Sequence, residues 1–355
     1  MSSMKKMALI QTVPDSTPGS MSAYAHLVMQ ALESSERFDV KKIDFFDPEG
    51  GSMRRHHLWR MRHARSFFAE HPADVYHLLD GSMAGFLPPA VLAKTVVTVH
   101  DLIPLLQLYG RLPGTPGFAG RLIIRRKLNA LRQVAGLAAV SEHTAGDLKE
   151  CTGRSDVAVI PNPVRRLPAP DEQIALPPRY LLHVGNNAVY KNRSGVLDVF
   201  ERLQDIDGLH LILAGHKPSR SLQRKAAALD RVQFRVDVTD AELSALYANA
   251  SVFLFPSLYE GFGMPVLEAM QAGCPVVCSN AASLPEVAGD AALVTSPGDV
   301  EALAACCREL LAGPARREEV VECGRRRAAE FTMQRLSDGL AAWYSDCLNR
   351  IGENV

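Results

Sequence analysis

The chain has few aromatic residues, no long apolar run and no paired cysteines. Aromatic residues make up 6% of its 355 residues, and neither a nucleic-acid-binding module nor a stacking-aromatic pattern is present, which argues against a nucleic-acid partner. The seven cysteines, Cys151, Cys274, Cys278, Cys306, Cys307, Cys323 and Cys347, form no CxxC pair and no framework spacing. That excludes a disulfide scaffold and a zinc site as organising features and points to a reducing, cytoplasmic setting. No segment approaches the roughly 20 apolar residues that span a bilayer. The opening MSSMKKMALIQTVP has a basic start, but its apolar run is too short for a signal peptide and leads into Pro14, so it reads as a first strand. Internal repeats and low-complexity tracts are absent. Net charge is zero overall, yet residues 1–170 carry 21 Lys plus Arg against 15 Asp plus Glu, and the remainder 18 against 24. The two halves therefore suit different partners.

What is present is an alternation. At this length two domains are expected. Apolar runs at Ala8 to Val13, Val75 to Leu79, Thr95 to Val99, Leu137 to Val140 and Ala158 to Ile160 alternate with amphipathic stretches, the pattern of a parallel α/β sheet. Pro161 to Pro178 holds six prolines with Arg165, Arg166, Asp171 and Glu172 and no helical period, and reads as a linker. The alternation resumes at Tyr180 to Val184, Leu209 to Ala214, Val232 to Phe234, Val252 to Phe255 and Pro275 to Cys278, predicting a second doubly wound domain. Thr332 to Leu348 sets Met333, Leu336, Leu340, Trp343, Tyr344 and Cys347 at helical spacing, a single apolar stripe that needs a docking surface.

The most informative segment is Glu260 to Glu268, EGFGMPVLE. Ser251 to Pro256 reads as a buried strand that delivers the chain to Glu260. Gly261 and Gly263 leave the backbone approachable, Pro265 suits a first helical position and Gly273 the position past the end, so a helix is predicted over Pro265 to Ala272. Its N-terminus favours a phosphate. Two carboxylates flanking an anion site suit a ligand with phosphate in the middle and hydroxyls at both ends, which describes a sugar nucleotide. The plainer alternative is a strand-turn-helix unit with two solvated glutamates.

EGFGMPVLEAMQAGCPVV resembles the E-x7-E motif of the retaining glycosyltransferases of family 4, which have the GT-B fold. VVTVHDLIPL, AVSEHTAGDL, IPNPV, LHVGNN followed by KN, and SLPEVAGDAALV resemble further segments of that family, in the family's order, so the resemblance covers nearly the whole chain. It implies an α/β architecture of two doubly wound, Rossmann-like domains facing a cleft. Residues 1–163 would form the acceptor-side domain, 164–178 the linker and 179–331 the nucleotide-sugar-binding domain, with a terminal helix in 332–355 packing on the first domain. It also implies a cytoplasmic hexosyltransferase that moves a sugar, with retention, from a nucleoside-diphosphate sugar to a hydroxyl of a glycan or lipid-linked acceptor. No cofactor and no metal would be required, positioning and charge stabilisation carrying the catalysis. The HDLIPL and SLPEVAGDAA forms resemble bacterial surface-polysaccharide mannosyltransferases, which puts GDP-mannose first as donor and UDP-sugars second. A non-catalytic sugar-nucleotide or glycan-binding module on the same fold is the alternative, and the E-x7-E segment disfavours an epimerase or phosphorylase.

By the same resemblance the catalytic set is His100, Lys191 and Glu260, with His100 on the donor sugar and Lys191 on the diphosphate. The donor-binding set is Gly19, Ser20, Asn186, Asn187, Lys191, Val238 through its backbone, Glu260, Gly261, Phe262, Gly263, Met264, Pro265 and Glu268. The chain departs from the family where Val189 and Tyr190 replace an arginine before the lysine, where TPGS keeps one of two adjacent glycines, and where Val236 replaces a glycine. Asn186 and Asn187 either contact phosphate or make the turn. Lys217, Arg220, Arg193 and Arg235 are further cations among which spacing does not choose. His183 reads as core, and Asp101 either caps the next turn or orients His100. The run Met53 to His71, with Arg54, Arg55, Arg60, Arg62 and Arg65 among Leu58, Trp59, Met61, Phe67 and Phe68, and the run Arg121 to Arg132, with Arg125, Arg126 and Lys127, have two readings. They are contacts to an anionic membrane or phosphorylated acceptor, or ordinary amphipathic helices with basic faces.

Overall fold

The computed structural model describes residues 5–14, 20–32 and 38–353. The chain falls into two compact units, Met1–Pro163 with Thr332–Val355, and Val164–Phe331. In the first, β1 (Lys5–Gln11), β2 (Phe38–Asp44), β3 (Val75–Leu78), β4 (Thr95–Val99), β5 (Gly136–Ala139) and β6 (Val157–Val159) form one parallel sheet in the order β2-β1-β3-β4-β5-β6. The runs β3, β4 and β5 are buried along their whole length, which is why they read as continuous apolar segments. The edge strand β2 (FDVKKID) buries only Phe38 and Ile43, so its charged sequence hides it from an apolar search.

The helix Met333–Glu353 belongs to this first unit. Its stripe of Leu336, Leu340, Trp343, Tyr344 and Cys347 shares a core with Met7, Leu9, Val28, Val96 and Ala138. Position 136 must be glycine for this contact, because a Cβ there would overlap the Cys347 sulfur and crowd the Trp343 indole nitrogen. The Tyr344 hydroxyl lies 2.7 Å from His77 Nδ1, and His77 Nε2 lies 2.8 Å from Thr98 Oγ1, so the buried imidazole has a partner at each nitrogen.

The second unit carries β7 (Tyr180–Gly185), β8 (His210–Gly215), β9 (Val232–Val236), β10 (Val252–Phe255), β11 (Val276–Ser279) and β12 (Leu293–Thr295), parallel and in the order β12-β11-β10-β7-β8-β9. The order reverses between β7 and β10, and a sheet of this kind opens a crevice at that point, beyond the carboxyl ends of the strands. The proline-rich segment is held along this unit. Val164 N donates to Phe331 O at 2.9 Å, Asp171 N to Ala241 O at 3.1 Å, and Arg235 Nη2 to Ala175 O at 2.7 Å.

Burial pushes His77 in the first unit and His183 in the second down to about 3, and both imidazoles are fully buried. Each is neutral in the folded chain and protonates in the unfolded chain below its ordinary value, so stability is lost as pH falls through about 6.5 toward 3. Lowering pH from about 7.5 to about 5.5 is expected to cost about 1.4 kcal/mol per histidine, visible as a lower urea midpoint. A midpoint unchanged over that range would contradict buried neutral imidazoles.

Candidate functional site

The reversal point of the second sheet is where the site residues gather. After β7, Asn186 Oδ1 accepts from Ala188 N at 2.9 Å, and a 3-10 turn, Val189–Lys191, follows. Asn192 then adopts a left-handed conformation with φ 53° and caps the helix Arg193–Glu201. Its amide donates to Pro256 O at 3.0 Å and Pro297 O at 3.3 Å, fastening the loop after β7 to the loops after β10 and β12. Lys191 is thereby brought to Glu260, and its Nζ donates to both carboxylate oxygens at 2.8 and 2.9 Å. The ammonium also lies 5.7 Å from the Tyr190 ring centroid and 5.3 Å from that of Phe255. An ammonium has three donors, so one remains beyond the two that reach Glu260.

The loop from Glu260 is stapled by Ser283, whose hydroxyl lies 2.9 Å from Glu260 O and 2.8 Å from Phe262 O. Phe262 is buried edge-on against Phe331, leaving its backbone as the part a ligand can reach. Gly263 has φ 106° and provides no side chain to cap the helix that follows, Met264–Gln271; Pro265 has no N–H and Val266 N donates to Gly263 O at 3.0 Å, which leaves the Met264 N–H at the helix start for an anion. A side chain at Gly263 would be strained at that φ and would overlap Leu284. The helix starts and ends one residue earlier than its sequence predicts. Gly263 takes the cap, Pro265 falls at the second helical position, and Gly273, at φ 76°, follows the C-cap Ala272.

Glu268 is buried and fully engaged on one side. Its Oε1 accepts from Arg165 Nε at 3.0 Å and its Oε2 from Tyr247 at 3.1 Å, while Arg165 Nη1 reaches Asp240 Oδ1 at 2.9 Å. Burial and the neighbouring carboxylate push the Tyr247 hydroxyl well above its ordinary pKa, so it acts as a donor. Asn187 receives Arg193 Nη1 at 2.6 Å and donates to Lys217 O at 2.5 Å, tying the loops after β7 and β8 together. Arg193 is itself buried beside the Phe234 ring, and desolvation lowers its pKa. Of the other cations, Arg235 is bound to the Ala175 carbonyl, and Lys217 and Arg220 are exposed. Val238 sits between Asp237, left-handed at φ 54°, and Thr239, which caps the next helix in a capping box, so the positive φ falls on Asp237 and not on Val236. His183 is core, its Nδ1 3.0 Å from Leu254 O.

In the first unit, the order reverses between β1 and β3, and Thr12 Oγ1 donates to Asp80 Oδ2 across that point at 3.2 Å. His100, just past β4, donates from Nε2 to Leu79 O at 3.0 Å and packs edge-on against Tyr24, with ring centroids 4.6 Å apart. Burial lowers its pKa against the opposing pull of Asp80, so the ring is neutral near pH 7 and Nδ1 is its acceptor. Asp101 Oδ1 accepts from Ile103 N at 3.0 Å, holding the turn that leads into the helix Ile103–Leu108. Gly19 lies outside the described residues, as does the side chain of Ser20, which begins the helix Ser20–Leu32.

The basic runs need a correction. Arg60 does not belong to a solvent face: it is fully buried, donating to Phe45 O at 2.7 Å and to Thr12 O, because it repeats the inward spacing of His56, Ala64, Phe67 and Phe68. Lys127 is likewise buried, and desolvation lowers its pKa. Arg55 is engaged by Asp47 and Glu49. Sequence reasoning also missed Arg165, Tyr247, Ser283 and Asn192. The last two stand inside the SLPEVAG and KN segments, where a signal existed, whereas nothing local marks Arg165 or Tyr247. Among the described residues no three His, Cys, Asp or Glu side chains converge as metal ligands, and no helix is long and apolar enough to cross a membrane.

Residues 25–166 match Glycosyltransferase Family 4, and residues 168–327 match Glycosyl transferases group 1. The O-antigen chain mannosyltransferase B of Escherichia coli is 38% identical over 162 residues, 44% of this chain and 42% of the relative. The MMP alpha-(1->4)-mannosyltransferase of Mycolicibacterium hassiacum is 32% identical over 236 residues, 62% of this chain and 56% of the relative. The matched stretch thus spans about half the length of these relatives. Among solved structures, sucrose-phosphate synthase from Thermosynechococcus elongatus superposes with a TM-score of 0.78 at 18% identity over 97% of this chain and 99% of that one, a likeness of fold. With two consecutive family domains along most of its length and two doubly wound sheets, the chain belongs to the family 4 glycosyltransferases of the GT-B fold.

Proposed function

We propose that this chain is a retaining hexosyltransferase that moves a sugar from a nucleoside-diphosphate donor to a hydroxyl of a glycan or lipid-linked acceptor, without a required metal. The observation that carries the reading is the Lys191–Glu260 pair at the reversal point of the second sheet, with a second carboxylate, Glu268, on the first turns of the adjoining uncapped helix. The remaining donor of Lys191 and the N–H at the start of the helix suit the diphosphate, Glu268 suits the ribose diol, and Glu260 suits a hydroxyl edge of the hexose. His100, neutral and with Nδ1 as acceptor, is proposed to meet a sugar hydroxyl. Two mannosyltransferases among the relatives support mannose, and hence GDP-mannose, ahead of UDP-sugars. A thermal-shift panel of nucleotides and nucleotide sugars, followed by mass spectrometry of products formed from the best donor, tests this. Stabilisation by GDP-mannose with mannosylated product is expected. Tight donor binding without turnover on any acceptor would favour the non-catalytic sugar-nucleotide module.

The acceptor side is proposed to work in the cytoplasm at an anionic membrane surface. On the helix Met53–Glu70, Met53, Leu58 and Met61 are exposed beside Arg54, Arg62 and Arg65. On the helix Phe118–Gln133, Phe118 is 88% exposed, with Leu122 and Tyr109 near Arg121, Arg125 and Arg126. Arginines at such a surface contribute on the order of 1 kcal/mol each, an attraction weakened by salt. Co-sedimentation with anionic vesicles at low salt, lost with neutral vesicles and in a variant with Arg54, Arg62, Arg125 and Arg126 changed to Gln, is the expected result. Wild-type protein left in the supernatant would contradict it.

A further inference from the structure

The second carboxylate of the donor site does not stand alone. Arg165 lies in the proline-rich segment, 103 residues before Glu268, and its backbone is held beside Val164, whose N–H donates to Phe331 O at 2.9 Å. Its guanidinium bridges two carboxylates on different helices, Glu268 through Nε at 3.0 Å and Asp240 through Nη1 at 2.9 Å. Tyr247 reaches the other oxygen of Glu268 at 3.1 Å. Each carboxylate oxygen therefore accepts one hydrogen bond from the protein. A carboxylate offers about four lone-pair positions, which leaves one on each oxygen.

We propose that Arg165, with Tyr247 as its partner, is a positioning residue that fixes the Glu268 carboxylate so that its two remaining lone pairs meet the two neighbouring hydroxyls of the donor ribose. This rests on the reading of Glu268 as the ribose acceptor. The arrangement has three physical consequences. The two protein donors fix the plane of the carboxylate, so rotamer freedom is already lost before the nucleotide arrives. The guanidinium offsets a carboxylate that is only 7% exposed and that would otherwise stand uncompensated near an incoming diphosphate. Asp240 in turn orients the guanidinium, since a planar fork held at two of its nitrogens cannot swing away from Glu268.

The test is calorimetric titration of the full chain with GDP and with 2′,3′-dideoxy-GDP, or with UDP and its dideoxy form if the guanine nucleotide does not bind. Wild-type protein is expected to prefer the ribose form by about tenfold or more, the worth of hydrogen bonds to a charged acceptor. In Arg165→Gln the preference should shrink to within roughly threefold, while the weakening caused by the uncompensated Glu268 charge falls on both nucleotides alike and leaves the ratio as the readout. Arg165→Lys should recover part of the preference, and Tyr247→Phe should lower it independently, which keeps the test available if one variant folds poorly. A wild-type preference retained in both Arg165→Gln and Tyr247→Phe would overturn this inference alone. A wild-type ratio near one would remove Glu268 from the ribose, and the inference with it.

Discussion

Changing Lys191 to alanine is expected to lower turnover of the donor by about two to three orders of magnitude, the loss found when one preorganised donor to a developing oxyanion is removed. The effect has two origins. The departing diphosphate loses the cation aimed at it, and Glu260, with a side chain only 9% exposed, loses both hydrogen bonds to its carboxylate. The second origin costs stability as well, about 3 to 5 kcal/mol for a buried ion pair that loses one partner. The two are separable. Lys191→Ala with Glu260→Ala should recover most of the lost stability, since neither charge is then unpaired, and should recover none of the turnover. Steady-state kinetics with thermal melting of Lys191→Ala, Glu260→Ala and the double variant checks this, and recovered turnover in the double variant would exclude the lysine from the leaving-group site. No arginine precedes Lys191 to share its load, because Val189 and Tyr190 occupy those positions.

Glu268→Ala should weaken donor binding by roughly 1.5 to 3 kcal/mol, through the hydrogen bonds it would accept from the ribose. Arg165 and Tyr247 would both lose an acceptor at the same time, and Tyr247 is fully buried. Loss of affinity should therefore come with a fall in melting temperature. Glu268→Gln keeps one acceptor oxygen and should fall between the two. Calorimetric titration of both variants decides it, and unchanged affinity in folded Glu268→Ala would take this carboxylate out of the donor site.

The parts of the fold legible in the sequence are those dictated by short-range physics. Strands buried on both faces, such as β4 and β10, are apolar from end to end and visible as runs. The edge strand β2 and the three-residue β12 were not visible, since half-exposed or very short strands carry little apolar signal. Arg60 is hidden in a basic run although its spacing places it inward: His56, Arg60, Ala64 and Phe67 stand three or four apart on the inward face. Glu260, Lys191 and Glu268 were each visible within their own segments. That Lys191 and Glu260 bind each other was not, because 69 residues separate them and their meeting depends on β7 lying beside β10. Arg165 is the extreme case: within its own segment it is one charge among prolines, and its role follows only from where the segment lies along the second unit.

In the proposed function the two glutamates divide the donor between them, Glu268 reading the nucleoside and Glu260, with Lys191, reading the sugar-diphosphate end. The most direct measurement is calorimetric titration of wild type, Glu260→Ala and Glu268→Ala with GDP-mannose and with GDP. Glu268→Ala should lose affinity equally for both ligands. Glu260→Ala should lose affinity for GDP-mannose only, and should hold GDP as well as wild type or better, because both Lys191 donors freed from Glu260 can turn to the diphosphate. Equal losses for the two ligands in Glu260→Ala, or a loss confined to GDP-mannose in Glu268→Ala, would contradict the account.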